Sequence, residues 1–242
     1  MNTQVFKRRE LKYLMTKEQT MLLRKLMIEH MKPDQYFKSS IRNLYYDTPS
    51  YLLIRRSIEK PEYKEKIRIR CYQTIDNEDL VFVELKKKYK STVFKRRTTL
   101  KYIDALKLMN KEEIKLNNQI EKEIKYFVDY YQNLQPSIFL SYERESYINK
   151  EEEYLRITID KEIIFRDYDL DLTKDVYGEN ILPNNKELVE IKTNFGYPKW
   201  LVVFLSENKL YKQSFSKYGN VYQRILNKNK IEKERKYEYN IN

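Results

Sequence analysis

Arginine and lysine recur at every second position in several short segments of the chain. In KIRIRCY, Lys66, Arg68 and Arg70 alternate with Ile67, Ile69 and Cys71. Successive side chains of a strand point to opposite faces, so this segment has one apolar and one cationic face. Six further segments share the design. In FVELKKK, Glu84, Lys86 and Lys88 oppose Val83 and Leu85; in VFKRR, Lys95 and Arg97 share a face. In YLRITID, Arg156, Thr158 and Asp160 oppose Leu155, Ile157 and Ile159; in ELVEIKT, Glu190 and Lys192 oppose Val189 and Ile191. RRELKY sets Glu10 and Lys12 against Leu11 and Tyr13, and in LSYERES Tyr142 and Arg144 share a face. Guanidinium and ammonium groups make charge-assisted hydrogen bonds to phosphate oxygens. The sparse carboxylates suit a divalent ion of the Mg²⁺ or Mn²⁺ type that also bridges phosphates. The pattern points to metal-assisted phosphate chemistry, where positioning and electrostatics supply most of the catalysis.

Two arrangements can present such faces. An open antiparallel sheet would leave them solvated, yet like charges directly across strands destabilise. A closed sheet would turn them into the lining of a lumen, with the apolar faces outward under helices. The elements that must do this are legible in outline. Strands are expected at 5–14, 40–47, 63–73, 79–90, 92–101, 138–148, 154–160 and 187–193, with a short one at 163–167. Helices are expected from Thr16 as N-cap to about residue 30, at 49–56 behind Pro49, over 102–133 with a break near 110, and from Pro198 to about 207. Residues 168–185 read as acidic and irregular, and 214–220 as a polar turn before a last short helix. The expected fold class is α+β: an antiparallel β-barrel tunnel with helices on the outside. It forms one domain over 1–226, followed by a charged, flexible tail over 227–242.

Composition narrows the partners. The 242 residues carry a net charge of +12, with 35% charged and 14% aromatic residues, so a polyanion is the natural partner of a folded, charged surface. The single Cys71 excludes an internal disulfide and fits a reducing cytoplasm. The single His30 stands beside no partner motif, which argues against histidine triads and His-rich zinc sites. No apolar run is long enough for a membrane span, and Lys7, Arg8, Arg9 and Glu10 interrupt any signal-like start. With 3 glycines there is neither a P-loop nor a kinase-type glycine loop. A nucleic-acid module would suit the charge and the 23 tyrosines. The tyrosines, however, are spread along the whole chain, and no stable nucleic-acid partner is expected.

The segments RRELKYLM, NLYYDTP, KIRIRCY, FVELKKKY, FKRR, LRITID, LVEIKT and SFSKYG, in this order, resemble the polyphosphate polymerase domain of the vacuolar transporter chaperone (VTC) family. That family lies within the triphosphate tunnel metalloenzymes, also called CYTH-like. The resemblance covers residues 4–226. It implies an eight-stranded antiparallel tunnel, ATP bound by its phosphates with a divalent metal, usually Mn²⁺, and transfer of the terminal phosphate to a growing polyphosphate chain. By motif it carries phosphate contacts to Lys12, Arg68, Arg70, Lys86, Lys95, Arg144, Arg156 and Lys217, with Ser216 beside the last. Lys66, Lys88, Arg97 and Lys192 share those faces and are secondary candidates. The metal carboxylate falls on Glu190, with Glu10 and Glu84 as further candidates. One departure stands out: the wider superfamily opens with Glu-x-Glu-x-Lys, and this chain has Arg8-x-Glu10-x-Lys12. Loss of a carboxylate there suits a polymerase better than a triphosphatase, which must activate water, and leaves room for a module that binds polyphosphate, inositol polyphosphate or RNA without turnover. The implied partners are ATP and polyphosphate or pyrophosphate.

Overall fold

Strand alternation and helix caps divide the described residues into fifteen elements. The structure, a computed structural model, describes residues 9–59, 61–90, 92–151 and 154–239, of which 229 and 231–239 by backbone alone. In order they are β1 (Arg9–Thr16), α1 (Lys17–His30), β2 (Met31–Asp47), α2 (Leu52–Ile58), β3 (Tyr63–Cys71), β4 (Leu80–Tyr89), β5 (Thr92–Lys101), α3 (Tyr102–Met109), α4 (Gln119–Tyr130), β6 (Gln135–Asn149), β7 (Leu155–Arg166), β8 (Glu179–Asn180), β9 (Lys186–Thr193), α5 (Lys199–Glu207) and α6 (Lys217–Tyr239). The strands join in the order β1-β9-β7-β6-β2-β3-β4-β5, with the two-residue β8 on β7. The β1–β9, β9–β7, β2–β3, β3–β4 and β4–β5 ladders are antiparallel. Eight strands thus follow one another as expected in an α+β fold, and the path ends at β1 and β5 without closure by hydrogen bonds among the described residues. Among the described residues no helix is long and apolar enough to cross a membrane.

The chain folds as two compact units. The first comprises Met1–Ile41, Tyr142–Ile163 and Leu182–Phe215; the second comprises Arg42–Ser141, Ile164–Ile181 and Ser216–Asn242. In the first, Tyr13, Met15, Ile157, Ile159, Val189 and Ile191 of the sheet bury against Leu23 and Met27 of α1 and Leu201, Phe204 and Leu205 of α5. In the second, Ile67, Ile69, Val83 and Leu85 bury against Ala105 and Leu108 of α3 and Ile124, Phe127 and Val128 of α4. Each such burial contributes roughly 1.5–3 kcal/mol. A one-residue register slip would forfeit all of it at once, so the cationic residues are held to the opposite face.

Local chemistry sets several boundaries. Thr16 closes a capping box at α1: its hydroxyl accepts from Gln19 N and the Gln19 side chain accepts from Thr16 N. The two strands expected at 154–160 and 163–167 are one, β7, which continues through Glu162 in a left-handed conformation (φ 52°). That single residue supplies a local irregularity that reads as a turn in the sequence. The break expected near 110 is a stretch of nine non-helical residues, 110–118, between Lys111 at φ 66° and the Asn118 cap of α4. The irregular 168–178 segment is organised by Arg166. Its buried guanidinium donates to the carbonyls of Asp169, Asp171, Asp175 and Tyr177 and lies 3.7 Å from the Phe139 ring centre. Gly178 closes that segment at φ 133°, where a Cβ would come within 2.1 Å of the Phe165 carbonyl oxygen. Finally, α6 is 23 residues long and continues as helix over 227–239, where a short helix and a tail are expected. The segment has no Gly or Pro and is rich in Lys, Glu and Arg, all good helix formers.

Candidate functional site

In the second unit, β3, β4 and β5 stack the alternating cations into rows. Lys64 lies opposite Lys88, Lys66 opposite Lys86 and then Lys95, Arg68 opposite Glu84 and then Arg97, and Arg70 opposite Phe82. Strand β2 adds Tyr45 opposite Arg68 and Asn43 opposite Arg70. Along these rows Glu84 is the one carboxylate. Its oxygens take Arg68 at 2.7 Å, and Arg70 and Arg97 each at 3.7 Å. Burial works to raise the Glu84 pKa, but Arg68, Arg70 and Arg97 outweigh it and hold the carboxyl below its ordinary range. Burial likewise works against the Tyr45 phenolate, yet Arg68, Arg70 and Lys66 bring its pKa below normal. Arg68 donates to the Tyr45 hydroxyl at 2.8 Å, and Arg70 donates to Asn43 Oδ1 at 2.8 Å. Asn43 is in turn fixed by donating to the Leu140 carbonyl. These guanidiniums are oriented groups and not solvated ones: the Arg70 side chain is 11% exposed. Lys66 donates to the Ser216 hydroxyl at 3.2 Å, and Ser216 also accepts from Gly219 N at the start of α6, beside Lys217.

The first unit carries a second polar face on β1, β9 and β7. Glu10, Lys192 and Arg156 form one row, and Lys12, Glu190 and Thr158 the next. Lys12 Nζ lies 3.6 Å from Glu10 and 3.5 Å from Glu190, and donates to the Phe215 carbonyl at 2.8 Å. The second Glu190 oxygen has Lys192 at 3.5 Å and Arg144 at 3.8 Å. Arg144 makes a two-pronged contact with buried Asp160, at 2.6 and 2.7 Å. Burial disfavours its charge, but Tyr142, Asp160 and Glu190 more than restore it, so its pKa is raised. Lys192 goes the other way. Burial and the neighbouring Arg144 and Arg156 lower its pKa, against the pull of Glu190 and Glu10. Arg156 is held by Asp34 at 2.5 Å and donates to Ser146. The Thr158 hydroxyl is buried and has no hydrogen-bond partner among the described residues.

This donor set can be tested against a divalent ion. Among the described residues no three His, Cys, Asp or Glu side chains cluster as a metal site. Glu10 and Glu190, on either side of Lys12, are two carboxylates on one face. Mg²⁺ and its relatives are commonly held by one or two carboxylates plus substrate phosphates and water, so this pair fits an ion whose other ligands come from a phosphate chain. The unpartnered Thr158 hydroxyl, opposite Glu190, fits the same environment. Glu84 fits less well: Arg68 sits on one of its oxygens at 2.7 Å, whereas Lys12, Lys192 and Arg144 stand 3.5–3.8 Å from Glu190. The Cys71 thiol is buried and pushed up to about 11, so it is no thiolate nucleophile at neutral pH.

The candidate residues therefore divide between two faces. Glu10, Lys12, Arg144, Arg156, Glu190 and Lys192 belong to the first unit, and Lys66, Arg68, Arg70, Glu84, Lys86, Lys88, Lys95, Arg97, Ser216 and Lys217 to the second. Arg8 lies outside the described residues. Sequence reading missed the groups that aim these cations: Asn43, Tyr45, Asp34, Ser146 and Asp160 as the partner of Arg144. A signal for two of them was present, since Asn43 and Tyr45 alternate with Leu44 within NLYYD.

Fold and faces together define an α+β protein whose antiparallel strands carry a cation-rich polar face in each unit. A solved structure of a candidate adenylate cyclase from Bacillus halodurans matches with TM-score 0.52 at 15% identity, covering 86% of this chain and 92% of the other. A candidate adenylate cyclase from Vibrio parahaemolyticus (TM-score 0.47, 12% identity, 88% and 97% covered) and a protein of Pyrococcus horikoshii (TM-score 0.44, 15%, 90% and 99%) also match. The family model described as VTC domain matches residues 7–226. The chain belongs to the VTC domain family. No curated protein matches it in sequence.

Proposed function

We propose that this chain is a metal-dependent polyphosphate polymerase that transfers the terminal phosphate of ATP to a growing polyphosphate chain, working in the cytoplasm. The observation that carries the reading is the Lys66–Lys86–Lys95 and Arg68–Glu84–Arg97 pair of rows: many oriented cations, one carboxylate, in a member of the VTC domain family. In this reading Arg68, Arg70, Lys86 and Lys95, with Lys66, Lys88, Ser216 and Lys217 around them, bind and align phosphates. Lys12, Arg144, Arg156 and Lys192 do the same on the first unit's face. A terminal oxygen of the acceptor phosphate attacks the γ-phosphorus, the bond from that phosphorus to the β–γ bridging oxygen breaks, and ADP leaves. No protein nucleophile is needed, because fixed positive charge stabilises the equatorial oxygens. Glu190 and Glu10 would hold a Mn²⁺ or Mg²⁺ ion, which supplies charge neutralisation at phosphate oxygens.

The test is incubation with ATP and Mn²⁺, followed by a gel that resolves long phosphate chains. Chains should form, and Glu190→Ala should abolish them. Free phosphate without chains would make the protein a triphosphatase instead. A second reading, a module that only binds phosphate chains, draws on the ion pairs that already engage Glu190 and Glu84. Tight metal-independent binding with no turnover of ATP would establish it and sink the enzyme.

A further inference from the structure

The row that ends the cationic face of the second unit is aromatic. Phe82 stands opposite Arg70 on β4. Tyr72, the first residue beyond β3, meets the Phe82 ring edge-on, with centroids 5.6 Å apart and an interplanar angle of 72°. Arg97 lies over Phe82 with its guanidinium carbon 3.5 Å from the ring centre. It is held there from two further sides, by Glu84 at 3.7 Å and by donation to the Tyr72 hydroxyl at 3.4 Å. The guanidinium is thus backed by one ring and fixed in its plane, while the Arg97 side chain remains 43% exposed and Tyr72 38% exposed. A fixed, partly exposed guanidinium plane beside an exposed phenol is a surface for a flat π-system. Arginine planes and tyrosine rings stack on nucleobases with little regard to base identity.

We propose that Tyr72 and the Phe82-backed Arg97 form the stacking surface for the base of the donor nucleoside triphosphate, beside the Arg70 and Arg68 cations that take its phosphates. The inference rests on the phosphate-binding reading above and adds the nucleoside half of the substrate. Continuity argues for this occupant: same-face positions along a strand are ~6.6 Å apart, so a base at Tyr72 leaves its phosphates over Arg70 and Arg68. The surface meets a base through planes, so it selects for stacking area, and a purine should bind better than a pyrimidine.

The experiment measures affinity for ATP and for inorganic tripolyphosphate on the full chain, in wild type, Tyr72→Ala and Tyr72→Trp. Base–aromatic stacking is worth ~1–3 kcal/mol per base. Tyr72→Ala should therefore weaken ATP about tenfold and leave tripolyphosphate unchanged. Tyr72→Trp should retain the ATP preference, and its new indole should be quenched by ATP and not by tripolyphosphate. Equal loss of both ligands in Tyr72→Ala, or no loss of either, overturns the inference and leaves the phosphate site intact. A wild-type chain that binds neither ligand overturns this inference and the proposed function together.

Discussion

Glu84 shows how a residue can be central to a cation-rich face without being a ligand for anything else. Its carboxylate draws Arg68, Arg70 and Arg97 together, and burial makes that attraction stronger than it would be in water. Its folded pKa is depressed, so its contribution to stability is present above the ordinary value of 4.5 and is lost as pH falls through the lower folded value. Glu84→Gln should therefore lower stability at neutral pH and flatten the acid limb of a thermal-unfolding profile below pH 4.5. An unchanged acid limb would mean that Glu84 is not the group that titrates. Thr158 makes the opposite case. A buried hydroxyl without a partner costs about 1–3 kcal/mol, so Thr158→Val should leave thermal stability equal or raise it. If the hydroxyl serves a bound phosphate or a hydrated ion, the same variant should weaken tripolyphosphate binding about tenfold, the size of one hydrogen bond to a charged group. Loss of stability together with binding would assign Thr158 to the fold alone.

At the scale of elements, the strands were legible because burial of one face dictates strict alternation, and Ile67, Ile69, Val83, Leu85, Ile157 and Ile191 obey it. The gaps were legible less well, because their order comes from single residues acting at a distance. Arg166 tethers a loop through four carbonyls that no local pattern announces. Asp47 behaves similarly. One of its oxygens accepts from Thr48 N and Leu53 N, and the other from Ile54 N and the Tyr218 hydroxyl. Pro49 reads as the first turn of a helix, yet α2 begins at Leu52 behind Tyr51 at φ 56°, and the distant Asp47 carboxylate does the capping. Tyr218 also stacks on Tyr45, which receives Arg68. Removing the Asp47 carboxylate leaves several buried donors unpaired, so Asp47→Ala should cost about 3 kcal/mol or more. Tyr218→Phe, which removes one hydroxyl, should cost about 1 kcal/mol. Chemical denaturation of the two variants checks the ranking, and equal costs would refute the capping role.

For the molecule as a whole, the net charge of +12 announced a polyanionic partner, but it could not say how the cations divide. Alternation assigns a residue to a face and is silent on which strands become neighbours, so the grouping of Arg144, Arg156 and Lys192 on one unit and of Arg68, Arg70 and Lys86 on the other emerged only from strand order. The division has a measurable consequence. Binding of a polyanion by lysine and arginine releases condensed counterions, and the dependence of log K on log salt has a slope of about one per phosphate neutralised. A three-phosphate anion can engage few cations, whereas a long chain can engage many. Long polyphosphate should therefore show a steeper slope than tripolyphosphate on the wild-type chain. Arg68→Gln with Lys86→Gln in the one unit should lower the long-chain slope by about two. Lys12→Gln with Arg156→Gln in the other should do the same if the first unit also takes phosphate. A long-chain slope no steeper than that of tripolyphosphate would mean that the protein grips a chain end only, and that most of its positive charge has another purpose.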